Sequence, residues 1–385
     1  MSRQPLSITG LASVSPLGRG PEAAWEAYRD PGHRLQAREL DGQLAWMGCC
    51  DPSAHREIEA LRSAFPNYEA LDNSVLLAIL ASRAAMGSAG WKRGERIGVN
   101  IGSSRGATGL FEEYHRQFLQ TGEVPGLSSP TTTLGNISYW VAQDLQSPGP
   151  EFSHSITCST ALHALLNGIA WIQAGMAERF LAGGSEAPLT PFTLAQMKAL
   201  RIYSRENGPY PCRALDSGKS NNTMVLGEGA AMACLERGKS ERTRAVIRGY
   251  GYATESLSHP ASLSASADCL QDSMRMALGE FPRQKVDVVV LHAPGTLTGD
   301  RAELRAVKAV FGPHQPALTC NKWKIGHALG ASGMLSLEMA VLMLTHQHFI
   351  APPYLSSRPP DRLDYVLVNA VGFGGNSVSI LLERA

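Results

Sequence analysis

The sequence predicts an α/β protein of mostly parallel sheets, covered on both faces by helices and arranged as two similar halves. Three observations carry this. Short apolar runs, RIGVNIG at 96–102, residues 180–183 and VDVVVLH at 286–292, have the length and apolar character of buried strands. Residues 161–174 and 329–345 are apolar almost all round, which suits helices buried in a core. Strand and helix alternate along the whole chain, the pattern of sheets sandwiched by helices.

Composition marks the halves. The first, residues 1–240, closes on the strand-like MACLE before the charged segment GKSERTR at 238–244. The second, residues 241–385, opens on AVIRGYGYA and ends on VLVNAVGFGGNSVSILLE. Each opens with a strand, holds one long apolar helix and closes with a Gly-rich turn and a strand. That order suggests a duplication, although no residue-level repeat supports it. Residues 122–130 and 356–360 read as ordinary loops.

With 44% of its 385 residues apolar, the chain has ample material for a large core. A net charge of +1, from 35 basic and 34 acidic side chains, gives no electrostatic ground for binding nucleic acid or an anionic membrane. The opening MSRQPLSITGLASVSPLG lacks a basic stretch followed by an apolar one, so no leader is expected. No run approaches the ~18 uninterrupted apolar residues of a membrane span. The seven cysteines, at 49, 50, 158, 212, 234, 269 and 320, show neither CxxC nor metal-ligand spacing. Free thiols in a reducing cytoplasm, with no metal centre, are the expectation.

Chemistry concentrates first at Ser155–Ala161, SITCSTA, a β-like stretch running straight into a buried helix. A cysteine at such a junction meets unpaired amides and the positive end of the helix dipole. Both favour the thiolate and predict that Cys158 is the most reactive thiol of the seven. An isolated cysteine in an apolar setting is more commonly inert, so the case rests on its company. LAGGSEA follows at 181–187, RALDSGKS…VLGEGAA at 213–231, PGTLTGDRAEL at 294–304, NKWKIGHALGASG at 321–333 and GFGGN at 372–376.

In this order the motifs resemble those of the β-ketoacyl-acyl carrier protein synthases, the elongating ketosynthases of the thiolase superfamily. The resemblance extends from ITGLASVSPLG at 8–18 to the last strand. It implies a thiolase fold of five layers, αβαβα, built from two similar halves. It also implies decarboxylative condensation in fatty-acid or polyketide synthesis. No cofactor is bound in this family; acyl groups arrive on the phosphopantetheine of an acyl carrier protein, and the subunits form homodimers or heterodimers. Cys158 matches the acyl-accepting cysteine, and His327 matches the histidine that helps decarboxylate the malonyl unit. Lys322 matches the lysine of the same motif, whose cation organises the site's charges. Asp300 and Glu303 match the acidic pair after GTxT, Glu303 being the expected partner of Lys322. Both could equally serve to charge the start of the helix there. Phe373, followed by Gly374, matches the gatekeeper of the GFGG turn, whose amide with that of Cys158 resembles the family's oxyanion hole.

One departure stands out. Active members carry histidine directly before GTxT, where this chain has Pro294, and the segment after GTLT is two residues shorter. His292 lies two positions upstream, ~6.6 Å away on an extended strand, too far to replace the missing ring unless the loop redraws the backbone. The sequence thus predicts that one catalytic histidine is functionally missing. It points to a non-elongating or chain-length-factor-like subunit paired with an intact ketosynthase. An active homodimeric synthase is the alternative. A plain thiolase is disfavoured because KIGH and GTxT have the ketosynthase form.

Overall fold

The computed structural model describes residues 5–257, 263–356 and 358–385. Residues 1–4, on which part of the leader expectation rests, and Ser357 of the 356–360 loop lie outside the described residues. Ten strands form one continuous path: Ala317–Thr319, Val288–Val290, Tyr365–Gly372, Asn376–Arg384, Ala245–Thr254, Leu6–Ser15, Gly229–Arg237, Arg179–Glu186, Gly98–Gly102 and Glu151–Phe152. The two-residue strand Gly18–Arg19 folds back on Leu6–Ser15 as an eleventh.

The strand order supplies the repeat that the residues hide. Numbered in chain order within each half, both halves run 1-5-4-2-3 outward from the centre. Their parallel and antiparallel pairings also match, strand for strand. A short antiparallel contact, Leu6–Ile8 against Ala245–Ile247, joins them.

Strand alternation builds the layers. Val288, Val290, Val366, Val368, Ile380 and Leu382 face an inner core shared with Ala231, Ala233 and Leu235 of the other half. That core is filled by two helices, Thr160–Gln173 and Ser332–His346. The intervening residues Val289, Leu367 and Leu381 face outward under the helices Asp268–Leu278 and Leu297–Phe311. Likewise Ala230, Met232 and Cys234 face outward under Asn73–Ala89 and Asn136–Leu145. A period of two along strands covered on both sides therefore gives five layers, αβαβα.

Four expectations change. The sheets are mixed rather than mostly parallel, because the short GFGG connection between Tyr365–Gly372 and Asn376–Arg384 can join only antiparallel neighbours. The helix Thr160–Gln173 is buried along one side only, with Leu166 and Trp171 half-buried and Ala170 exposed on the other. The second apolar segment starts as a single turn, Leu329–Ala331, before the helix proper. The stretch Leu329–His346 is long and apolar enough to cross a membrane, and 89% of it is buried inside the molecule. Within the predicted loop 122–130, a short helix begins at Ser128.

Glu338 stands in the middle of the inner helix, fully buried, and neither carboxyl oxygen has a hydrogen-bond partner among the described residues. Burial pushes its pKa up to about 7. The folded protein therefore keeps a proton that the unfolded chain releases above its ordinary value of 4.5. Stability from this group is lost as pH rises from there to about 7. Glu338→Gln is expected to stabilise by on the order of 2–3 kcal/mol at pH 8 and by far less at pH 5. Thermal melts of the variant at the two pH values check this; equal shifts would contradict it.

Candidate active site

The nucleophile turn comes first. The helix starts at Thr160 with Ser159 at its N-cap, so Cys158 lies one residue outside it. Thr157 has φ of +48°, a costly left-handed conformation for a β-branched residue. Local bonds hold it: the Ile156 amide donates to Thr160 Oγ1 at 2.8 Å, and Thr160 Oγ1 donates to the Thr157 carbonyl at 2.6 Å. Thr157 Oγ1 in turn donates to the Phe373 carbonyl at 3.3 Å. Gly372 is required by this contact, since a Cβ there would come 1.8 Å from Thr157 Oγ1 and 3.1 Å from the Cys158 nitrogen. The GFGG turn thus presses against the Cys158 amide, with Gly374 and Gly375 at positive φ closing it.

His327 sits just ahead of the inner helix. Its amide donates to the Val225 carbonyl at 2.7 Å, and its Nδ1 shares a 2.8 Å hydrogen bond with Ser332 Oγ. Burial, then the nearby Lys322 cation, pull its pKa down to about 3, so the ring is neutral. Lys322 is itself buried and donates to Ser336 Oγ at 3.0 Å. It does not line the cavity, but its charge acts on Cys158, His292 and His327 from behind.

The PGTLT segment is gripped by carboxylates. Asp300 forms a buried ion pair with Lys219 and accepts the amides of Leu215 at 2.9 Å and Gly295 at 3.0 Å. Glu303 accepts the consecutive amides of His292 and Ala293 at 2.9 and 2.8 Å, and Asn369 Nδ2 at 3.3 Å. The expected Glu303–Lys322 ion pair is therefore absent among the described residues; the backbone claims both carboxylate oxygens. Nor does Asp300 cap its helix, because Thr296 does so through the Gly299 amide.

His292 is placed differently from the sequence expectation. The strand ends at Val290, and Ala293 turns with φ of +28°, so the extended spacing to Pro294 does not apply. The His292 ring reaches the His327 ring edge-on, centroids 5.1 Å apart. Cys158, His292, His327, Pro294, Thr296, Thr298 and Phe373 all line one cavity of about 490 Å³, with Met197, Ile202 and Leu329 on its apolar side.

The order of motifs along the chain agrees with comparisons to known proteins. The family model for the β-ketoacyl synthase N-terminal domain matches residues 3–241, and that for the C-terminal domain matches residues 244–356. The chain belongs to the β-ketoacyl synthase family. It is similar to 3-oxoacyl-(acyl-carrier-protein) synthase 2 of Coxiella burnetii, 28% identical over all of this chain and 99% of that one. Its fold matches the ishigamide ketosynthase/chain length factor with a TM-score of 0.86 at 21% identity, covering both chains fully. The same score and coverage hold for a type II polyketide synthase ketosynthase in complex with its acyl-carrier protein and bound to the hexaketide.

Electrostatics set this β-ketoacyl synthase site apart from the sequence expectation of a thiolate. Burial, reinforced by Glu186, pushes the Cys158 thiol up to about 12, and Lys322 and Arg105 only partly offset it. The helix begins two residues beyond the sulfur, and Glu186 supplies a nearby carboxyl the sequence reading did not weigh. Glu186 accepts the amides of Ser104 and Gly330, and burial raises it to about 7. It lay in plain view in the GGSEA motif, as Lys219 did in DSGKS; neither signals its partner from sequence.

Two measurements follow. With a thiol near 12, alkylation of Cys158 by iodoacetamide should rise about tenfold per pH unit from pH 7 to 10 with no plateau. Half-buried Cys49, pushed to about 11, should titrate ahead of it, so adducts must be mapped by mass spectrometry. A plateau for Cys158 below pH 8 would instead show a pre-formed thiolate. Lys219→Met should cost about 3–5 kcal/mol in denaturant titrations, because it strands the buried Asp300 charge. A loss under about 1 kcal/mol would show that the two backbone amides suffice.

Proposed function

We propose that this protein is a condensing subunit of fatty-acid or polyketide synthesis. It takes an acyl group from a carrier-protein thioester onto Cys158 and extends it with a malonyl unit. The observation that carries this is the single cavity holding a nucleophile-turn thiol and two neutral imidazoles. A neutral His327 can accept the thiol proton as the sulfur attacks, which a thiol near 12 requires. The amides of Cys158 and Phe373 are the donors for the thioester oxygen. Half-buried Thr296 and exposed Thr298 in the cavity lining suit the amides of a phosphopantetheine arm, while Met197, Ile202 and Leu329 suit the acyl chain. The reaction needs no further cofactor.

The working form is a homodimer or a heterodimer. Phe111, Phe118, Leu119, Val124 and Leu127 are exposed on the helix Thr108–Thr121 and the segment after it, and that helix buries none of its residues. Add the half-buried outer side of Thr160–Gln173 and the open edge strand Glu151–Phe152, and the surface suits an obligate interface above ~2,000 Å². Seven free thiols, six of them buried, fit a cytoplasmic setting. Pro294 supports a second reading, a chain-length-factor-like half beside an intact ketosynthase.

The test is to incubate the purified protein with acyl carrier protein bearing an acyl chain, then with malonyl-carrier protein. Native mass spectrometry reports the assembly and intact mass the acyl-enzyme. An acyl adduct on Cys158, absent in a normally folded Cys158→Ala variant, followed by 3-oxoacyl product is expected. Acylation without product, restored only by an added ketosynthase, would establish the second reading. No acylation under either condition would reject both.

A further inference from the structure

We propose that His292 is the second catalytic imidazole of this site, holding the malonyl thioester oxygen in place of the histidine that Pro294 displaces. The inference rests on the condensing function proposed above and concerns its second stage only. Four observations carry it. His292 is buried yet lines the same cavity as Cys158 and His327. Its ring stands edge-on to His327 with centroids 5.1 Å apart, so both rings reach one small ligand group. Its Nδ1 is buried without a hydrogen-bond partner among the described residues, an arrangement that costs about 1–3 kcal/mol in a purely structural side chain. Its backbone is fixed from behind, Glu303 taking its amide at 2.9 Å and that of strained Ala293 at 2.8 Å.

A structural histidine in a core is normally anchored by its own ring nitrogens. Here the backbone is anchored and the ring is left over, which is the arrangement of a group kept for a ligand. Burial and the His327 and Lys322 neighbours hold the ring neutral, so it keeps one N–H to donate.

The step balances as follows. The malonyl C2–carboxylate bond breaks, carbon dioxide leaves, and the bonding pair forms an enolate whose oxygen accepts the His292 N–H and that of His327. The His327 proton is on Nε2 in this stage and on Nδ1, toward Ser332 Oγ, when the ring takes the thiol proton. The enolate carbon attacks the acyl carbonyl on Cys158. The carbon–sulfur bond breaks, the sulfur leaves with the pair and takes one proton from solvent, and the product is a 3-oxoacyl thioester on the carrier protein.

The experiment separates the two stages in the whole protein. Wild type, His292→Ala and His292→Phe are incubated with acyl-carrier protein, and acyl-Cys158 is counted by intact mass. Malonyl-carrier protein is then added, and carbon dioxide and 3-oxoacyl product are followed. Both variants are expected to acylate within about threefold of wild type and to run the second stage about 10²–10⁴-fold more slowly. His292→Phe fills the ring's volume without a donor, so it carries the comparison if the alanine variant melts early. A second stage as fast in the variants as in wild type, or missing from acylated wild type, overturns the role of His292 and leaves thioester formation standing. Failure of wild type to acylate, alone or with an intact ketosynthase, overturns thioester formation and the role of His292 with it.

Discussion

The site depends on two helices packing side by side between two sheets. Thr160–Gln173 and Ser332–His346 occupy equivalent places in the two halves, and both bury apolar faces in one shared core. Each fully buried Leu or Met there contributes about 1.5–3 kcal/mol, so the pairing cannot slide without losing many such terms. Cys158 lies two residues ahead of one helix and His327 lies just ahead of the other. Fixing the helices therefore brings a thiol from the first half and an imidazole from the second to the same end of the sandwich. Neither half contains the site alone.

Around that meeting point the protein keeps charge low. Cys158 is held as a thiol, His327 and His292 as neutral rings, and Glu186 and Glu303 are pushed up to about 7 by burial. Among the described residues, the Lys322 cation acts on Cys158, His292 and His327 together, Arg105 acts on Cys158 as well, and burial lowers the pKa of Lys322. Neutral donors in a place with little water are strong partners for charge that develops during a reaction and weak ones for charge already present. The carrier-bound malonyl group proposed above would bring its own negative charge, which suits a pocket backed by the Lys322 ammonium and lined in part by Arg105.

Much of this was legible in the sequence, and the rest was hidden for physical reasons. Buried strands and core helices announce themselves through composition, so 286–292 and 329–345 were readable within a few residues. The elbow cysteine and the KIGH histidine were readable because short motifs fix local backbone. Direction was less so: nothing in VLVNAVGFGGNSVSILLE states whether its strands run parallel, except the brevity of the turn. Partners of buried acids were least legible. Glu303 looked like an ion-pair residue for Lys322, and only the folded loop shows two backbone amides reaching it first. The half-covered side of Thr160–Gln173 reads as core because apolar composition does not distinguish a protein interior from an unmade interface.

The Ala293–Pro294 pair shows how a substitution can fit a site that resembles others around it. Glu303 takes the amides of residues 292 and 293, and Asp300 takes that of residue 295. Position 294 is the one place in this stretch whose amide no carboxylate needs, so proline sits there without leaving an acceptor unfilled. Proline pushes its predecessor toward extended backbone, so the positive φ of Ala293 is a strained turn, held by the bond from its amide to Glu303. That turn is what aims His292 into the cavity. On the role proposed for His292, an imidazole at 292 and a proline at 294 go together with this one backbone turn, held by the two acids that follow.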